Sequence, residues 1–484
     1  MNSKFVVSSR RYWPRLHFVT PQNWINDPNG LVRLESGWRL FFQYADDAPE
    51  FRRVHWGTAS SPDLFHWHFE GIAIRATPQR SVYSGSILAA PLRAFYTAHH
   101  TPPGAPIRQT QHRALSDDGG RTFKVADADY LLDEGRADFR DPFVWQRPQG
   151  GYSMLVAKPV PWHASAEAGK SVIAVYRSTD SLQWTACGQI GPFDGAQVLW
   201  EVPWIAELQA ADGSAHALFV VSVIDRSGGG VRCATRYWLG CFDGANFLPY
   251  PDQPGLPLDV GPDYYAVIAS TPNAATCLLT IAWASNWAYA RELHVAPWAG
   301  GPLSLPRDVS IVRLGGAWRL RQRPTSGLGA LCDLPLSSVH YAVGPQPLQL
   351  LAAPPAPYIM DVEWDLGLTA GATLELAGGA LRLLIEDSGS AFALERPGDT
   401  RLPTAFAGRW QASRHTPSAL AKLRIIVDSC ALEVFADDGS ITFCALMFPL
   451  RESIRAWAEG NSASLRVTMT PLRSSQIPGA AKRI

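Results

Sequence analysis

The chain has no excess of charge: 43 Lys and Arg stand against 43 Asp and Glu over 484 residues. No basic run breaks that balance, so a polyanion-binding surface has no electrostatic support and nucleic acid is not expected as a partner. The seven cysteines (Cys187, Cys233, Cys241, Cys277, Cys332, Cys430, Cys444) are odd in number, scattered, and nowhere spaced C-x-x-C. That excludes a disulfide framework or zinc site by pattern and suggests buried free thiols in a reducing compartment. The first residues, "MNSKFVVSSRRYWPRLHF", lack the apolar core of a secretory signal, and no later run reaches membrane-spanning length. The expectation is a cytoplasmic protein with no membrane partner. Long amphipathic patterns with capping signals are also missing, which leaves little room for helix.

What is present is short apolar or alternating runs bounded by Gly, Pro, Asp and Asn, among them "WRLFFQYA" (38–45), "YSMLVAK" (152–158), "SVIAVYRS" (171–178) and "HALFVVSVI" (216–224). These read as strands. A strand-like run, a polar Ser/Asp/Gly turn and an aromatic recur, ending at Trp67, Phe123, Trp184 and Phe247. A hairpin repeated at intervals of about 60 residues suits the blade of a β-propeller with generous loops. Residues from about 15 to 325 would hold five such units. Beyond "GAWRLRQRP" (316–324) comes a Pro-, Ala- and Leu-rich stretch, and then alternating strands with "AGG" and "DDGS" turns, a pattern of β-sandwiches. The predicted organisation is an all-β chain, with a five-bladed β-propeller over 1–325 and a linker plus β-sandwich over 326–484. Eighteen Trp serve both as core fillers and as flat platforms for sugar rings.

Three carboxylates sit where apolar runs meet polar residues, each with aromatics close by: Asp27 in "NWINDPNG", Asp141 in "DFRDPFVW" and Glu201 in "LWEVPWIAEL". Asn, Asp, Pro and Gly make the first of these segments read as a stiff bend. Pro28 and Pro142 also restrict the Asp before each of them, a form of preorganisation that catalytic groups need. Glycoside hydrolysis requires such a set: a carboxylate nucleophile, a carboxylic acid for the leaving oxygen, and groups that hold the sugar hydroxyls. Turn Asp residues and an edge Glu are the bland alternative for each position taken singly. Paired histidines, His99 and His100, and "HWH" (66–68) have no third ligand at metal spacing and read as packing or solvated side chains.

At this point the residues resemble glycoside hydrolase family 32, the β-fructofuranosidases, a family of invertases, exo-inulinases and levanases. "WINDPNG" is similar to its W-M-N-D-P-N-G, "FRDPFV" to its F-R-D-P, and "WEVPWIAEL" to its W-E-C-P element. "YSGSIL", "LDVGPDYYA", "IAWASNWAYA" and "LEVFADDGSITFCALMFP" extend the likeness over nearly the whole chain. The resemblance implies retaining hydrolysis of fructosyl linkages, with Asp27 as nucleophile, Glu201 as acid/base and Asp141 as transition-state stabiliser beside Arg140. It further implies a fructosyl subsite drawn from Trp24, Asn26, Gln43, Phe51, Tyr83, Ser84, Asp263 and Trp283, a small sugar as partner, and neither metal nor cofactor. Trp200, Val202, Pro203 and Trp204 around Glu201 give an apolar setting expected to raise its pKa, whereas Asp27 among turn donors is expected to stay ionised. Val202 and Trp204 depart from the family's usual Cys and Asp, and Phe51 stands where Trp is common. Sucrose is the expected substrate, with short fructans beside it. A fructosyltransferase using the same intermediate and a non-catalytic sugar binder are the alternatives.

Overall fold

The structure, a computed structural model, describes residues 5–7, 11–125, 130–160, 170–193, 198–226, 230–270, 276–295, 297–336, 338–350, 352 and 355–476. The N-terminal residues 1–4 and 8–10, part of the stretch behind the cytoplasmic expectation, lie outside the described set. Short apolar runs flanked by turn formers become strands, as their period-2 patterns dictate. Among the described residues these strands form seven sheets.

Five of these sheets arise between residues 5 and 324. One strand from each, Asn23–Leu34, Arg80–Leu88, Arg140–Gln146, Val198–Gln209 and Tyr265–Ala269, touches the next in cyclic order, the fifth returning to the first. A closed ring of this kind is a five-bladed propeller with the innermost strands around its axis. Closure is reinforced where Asn23 pairs with Trp298 and Trp24 with Ala299 in parallel register. The recurring hairpins foreseen at Trp67, Phe123, Trp184 and Phe247 are the outer hairpins of the first four blades. A fifth, Arg307–Leu314 with Ala317–Pro324, completes the set with Trp318 after its turn.

Each innermost strand carries a register break at matching depth. The pairing skips between Ile25 and Pro28, Val82 and Gly85, Arg140 and Phe143, Glu201 and Trp204, and Tyr265 and Ile268. Bulges re-aim side chains without ending a strand. "NWINDPNG" is therefore not the bend its composition suggests, because Asn23–Leu34 is one twelve-residue strand whose bulge turns Asn26 and Asp27 toward the central cavity. Pro28, opposite Phe42, sits between two register breaks, the kind of irregular position where a strand tolerates Pro.

The remaining two sheets, six strands each, enclose a core that includes Met360, Trp364, Leu374, Leu383, Phe392, Leu432 and Phe443. This is the β-sandwich. Buried ion pairs join it to the propeller: Arg307 with Glu433 and Asp259, Arg396 with Asp263, and His17 with Asp428 and Glu433. Of the seven free cysteines only Cys430 and Cys444 are buried, while Cys241 and Cys277 are exposed, so the expectation of buried thiols holds for just part of the set. Among the described residues no helix is long and apolar enough to cross a membrane.

Candidate active site

At the mouth of the ring lies a cavity of about 460 Å³, lined by Asn26, Asp27, Gln43, Phe51, Tyr83, Ser84, Asp138, Arg140, Asp141, Glu201, Trp287 and Arg291 among others. The bulges supply its working side chains. Asp27 and Ser84 occupy the second bulged position of their strands, and Asp141 the first of its own. Asp141 adopts a left-handed φ of 64°, and Val202, next to Glu201, one of 47°. For a β-branched residue that is a strained conformation, and such strain gathers at functional sites.

Asp27 is 8 % exposed, with both oxygens engaged. Oδ1 accepts from Asn26 Nδ2 at 3.0 Å, and Oδ2 accepts from Ser84 Oγ at 2.8 Å. Asn26 is itself oriented by Trp24 Nε1, which donates to its Oδ1 at 2.8 Å, and by its own bond to Gln43 Oε1 at 3.1 Å. Burial first and the neighbouring Glu201 second push the Asp27 pKa up to about 6. At neutral pH the group is still mainly a carboxylate, although less comfortably so than its donors alone suggested.

Glu201 meets a polar environment at its tip despite the apolar residues beside it in sequence. Tyr265 donates to its Oε2 at 2.6 Å, and Arg140 Nε lies 3.3 Å from its Oε1. Burial would lower the pKa of Arg140, but Glu201, Asp138 and Asp141 outweigh it and hold the guanidinium charged. Asp141 accepts the Val202 N–H at 2.9 Å, while its own N–H donates to Thr97 Oγ1 at 2.8 Å. Its pKa is raised by burial and then by the charge on Glu201. Burial and the charge of Glu201 thus oppose the ionisation of both Asp27 and Asp141 across one cavity.

Of the residues expected from sequence, Asn26, Asp27, Gln43, Phe51, Tyr83, Ser84, Arg140, Asp141 and Glu201 all line the cavity. Trp24, Asp263 and Trp283 do not. Trp24 and Trp283 lie fully buried beneath the floor, where Trp24 stacks on Trp287 at 6.0 Å and Trp283 tilts against it at 4.7 Å. Asp263 faces the sandwich, bound to Arg396 Nη1 at 2.7 Å and to the Leu446 N–H at 2.7 Å. Its role is domain attachment. Trp287, Arg291, Asp138 and Tyr265 were missed, although Trp287 stands four residues after Trp283 in the same quoted segment. Arg291 lies over the rings of Phe51 and Trp287, at 5.0 and 5.3 Å from their centroids. His99 stacks flat on Tyr83, and His66 bonds Asp63.

Comparison with known proteins matches the chain to one family over most of its length. The family model described as "Glycosyl hydrolases family 32 N-terminal domain" covers residues 17–324, and that described as "Glycosyl hydrolases family 32 C terminal" covers 357–471. The chain is 26% identical to an extracellular exo-inulinase of Aspergillus niger over 92% of this chain and 91% of that one. It is 27% identical to a levanase of Bacillus subtilis over 96% of this chain and 70% of that one. The crystal structure of an exo-inulinase from Aspergillus awamori superposes with a TM-score of 0.86 at 24% identity, covering 96% of this chain and 99% of the other.

Proposed function

The chain belongs to glycosyl hydrolases family 32, and from that membership we propose that it hydrolyses terminal β-D-fructofuranosyl linkages of sucrose and short fructans with retention, through a fructosyl ester on Asp27. One observation carries the reading: Asp27, Asp141 and Glu201, far apart in sequence, line one cavity from three different blades, the first two on bulges and Glu201 directly before one.

In the first step Glu201 gives its proton to the glycosidic oxygen while an Asp27 oxygen bonds to the anomeric carbon and the leaving sugar departs. Asp27 suits this task because Asn26 and Ser84 fix the plane of its carboxylate. In the second step Glu201, now ionised, takes a proton from water, whose oxygen displaces Asp27 and restores the free carboxylate. Arg140 and Tyr265 favour the ionised Glu201 formed between the steps, one by charge and one by hydrogen bonding. Asp141, braced by the Val202 N–H, is placed to grip ring hydroxyls of the fructosyl unit. Trp287, Phe51 and Arg291 offer the outer wall to the leaving sugar.

The names of the relatives, exo-inulinase and levanase, support fructans as substrates beside sucrose. Cytoplasmic residence belongs to this reading as the setting in which sucrose and short oligosaccharides would be met, and fractionation of source cells tests it. Incubation with sucrose should yield fructose and glucose, with β-fructofuranose as the first anomer by NMR. Asp27→Ala and Glu201→Ala should each lower kcat by at least about a hundredfold. Wild-type rates in both variants, or inversion at the anomeric carbon, would overturn the reading, and accumulation of longer oligosaccharides would assign the chain to fructosyl transfer instead.

A further inference from the structure

The strand Arg108–Leu115 in the second blade carries two buried glutamines, Gln109 and Gln111, that reach across to the segment bearing Arg140 and Asp141 in the third. Gln111 holds the Phe139 carbonyl and the Thr97 hydroxyl, and does not touch Arg140. Its Nε2 donates to the Phe139 carbonyl at 2.6 Å, and its Oε1 accepts from Thr97 Oγ1, the same hydroxyl that receives the Asp141 N–H. Gln109 does something different. Its Oε1 accepts from the Phe139 N–H at 2.8 Å and from Arg140 Nη1 at 3.2 Å, while its Nε2 lies 3.1 Å from His99 Nδ1. An amide nitrogen can only donate, so the imidazole is neutral there with its hydrogen on Nε2. Burial, and then the charge of Arg140, hold the His99 pKa down at about 4, in keeping with that tautomer. The neutral ring lies parallel to Tyr83 with centroids 4.4 Å apart, and Tyr83 lines the cavity.

A guanidinium is a rigid planar fork, so fixing two of its nitrogens fixes the third. Asp138 Oδ1 accepts from Arg140 Nη2 at 2.6 Å and Gln109 Oε1 accepts from Nη1, which leaves the Nε edge turned to Glu201. Without Gln109 the fork would hang on Asp138 alone. We propose that Gln109 is a positioning residue for the acid/base: its amide sets the plane in which Arg140 meets Glu201 and, through His99, steadies Tyr83 on the cavity wall. It acts through Arg140, never on substrate, and nothing in its sequence setting distinguishes it from an ordinary strand glutamine. The inference rests on the reading of Glu201 as acid/base.

The discriminating test compares kcat/KM on two substrates, because this ratio reports only the steps up to loss of the first product. Sucrose releases an alkoxide that needs a proton, whereas 4-nitrophenyl β-D-fructofuranoside releases a stable phenolate that needs little help. Gln109→Met should lower kcat/KM on sucrose by about tenfold, a fraction of the roughly 10²–10⁴ that general acid catalysis supplies, and on the aryl fructoside by less than about threefold. Gln109→Asn, which draws the amide back by one methylene and leaves the core polar, should show the same selective loss, and decides the matter if Gln109→Met does not fold. Gln109→Glu retains the accepting oxygen and should recover most of the sucrose activity. Gln111→Met, which loosens the Phe139 carbonyl and, through Thr97, the Asp141 N–H without touching Arg140, should depress both substrates alike. Equal losses on the two substrates in the Gln109 variants, or no loss, would overturn the proposal. Glu201→Ala separates the two levels of argument: if it loses sucrose and aryl fructoside equally, the acid/base reading itself fails, whereas selective loss there with none at Gln109 defeats this inference alone.

Discussion

Asp27 illustrates what burial does to a nucleophile. Moving it from an ordinary aspartate value of 3.8 up to about 6 means that its charge is disfavoured in the fold, through burial and then through Glu201. Two outcomes follow with fixed signs. In the free enzyme kcat/KM on sucrose should fall as pH drops through about 6, because protonated Asp27 cannot attack. Stability runs the other way: a carboxylate whose folded pKa is raised contributes most below its unfolded pKa and loses that contribution as pH climbs through about 6. Asp27→Asn should therefore abolish turnover yet stabilise the protein by about 1–3 kcal/mol at pH 7, part of the shift being shared with Glu201, and by far less at pH 4. Urea unfolding at both pH values checks this, and an equal gain at pH 4 would contradict it. At this scale the sequence was informative where chemistry depends on residue type next to Pro or Trp, as with Asp27, Asp141 and Glu201. It was silent on direction. Asp263 and Asp27 look alike in a string, but one faces Arg396 of the sandwich and the other the cavity. Trp283 and Trp287 differ likewise, the first buried beneath the cavity and the second forming its wall.

At the scale of strands, one device repeated five times builds the site: a bulge at matching depth in every innermost strand. Turn-forming residues advertise the first of these as a bend, since a bulge and a turn recruit similar chemistry. Only the pairing partner, which lies in a distant part of the chain, tells them apart. The outer hairpins were legible because their turns are local and recur with an aromatic behind them, while the bulges depend on register. Gly85, which closes the bulge that aims Ser84, shows how tight the fit is. A Cβ at this position would meet the Phe95 carbonyl oxygen at 1.9 Å and Tyr96 Cα at 2.8 Å, both of them backbone of the paired strand and unable to swing aside. Gly85→Ala should cost about 2–3 kcal/mol of stability and, by displacing Ser84 from Asp27, lower kcat as well. Thermal unfolding and turnover on the purified variant measure the two effects, and a variant with wild-type values in both would show that the strands separate freely there.

Across the whole molecule the two domains are held by charge rather than by apolar surface alone. Arg307, with no exposure, bonds Glu433 Oε2 at 2.8 Å and Asp259 Oδ2 at 2.7 Å, and packs over Tyr264 with 4.0 Å from Cζ to the ring centroid. His17, equally buried, presents Nδ1 to Asp428 at 2.9 Å and Nε2 to Glu433 at 3.2 Å. Both nitrogens facing carboxylates make it an imidazolium: burial would lower its pKa, but the hydrogen bonds to Asp428 and Glu433 prevail and raise it to about 9. A histidine raised in the fold stabilises fully below its unfolded value near 6.5, and that contribution disappears as pH rises through about 9. The wild-type protein should therefore lose about 2–3 kcal/mol between pH 6.5 and 9.5 that His17→Gln does not lose, the variant being already weaker at pH 6.5. Parallel slopes for the two proteins would show that His17 is not charged in the fold. Arg307→Met removes a different member of the latch, leaving Asp259 buried without its cation and Glu433 with His17 alone, a loss of about 3–5 kcal/mol. Because Leu305 N–H also binds Glu433, slackening this latch should free the strand Arg307–Leu314 from the sandwich and split one unfolding transition into two. Asp27 and Glu201 lie on other blades, so residual activity should track the propeller transition alone, and calorimetry beside activity loss on heating would reveal it.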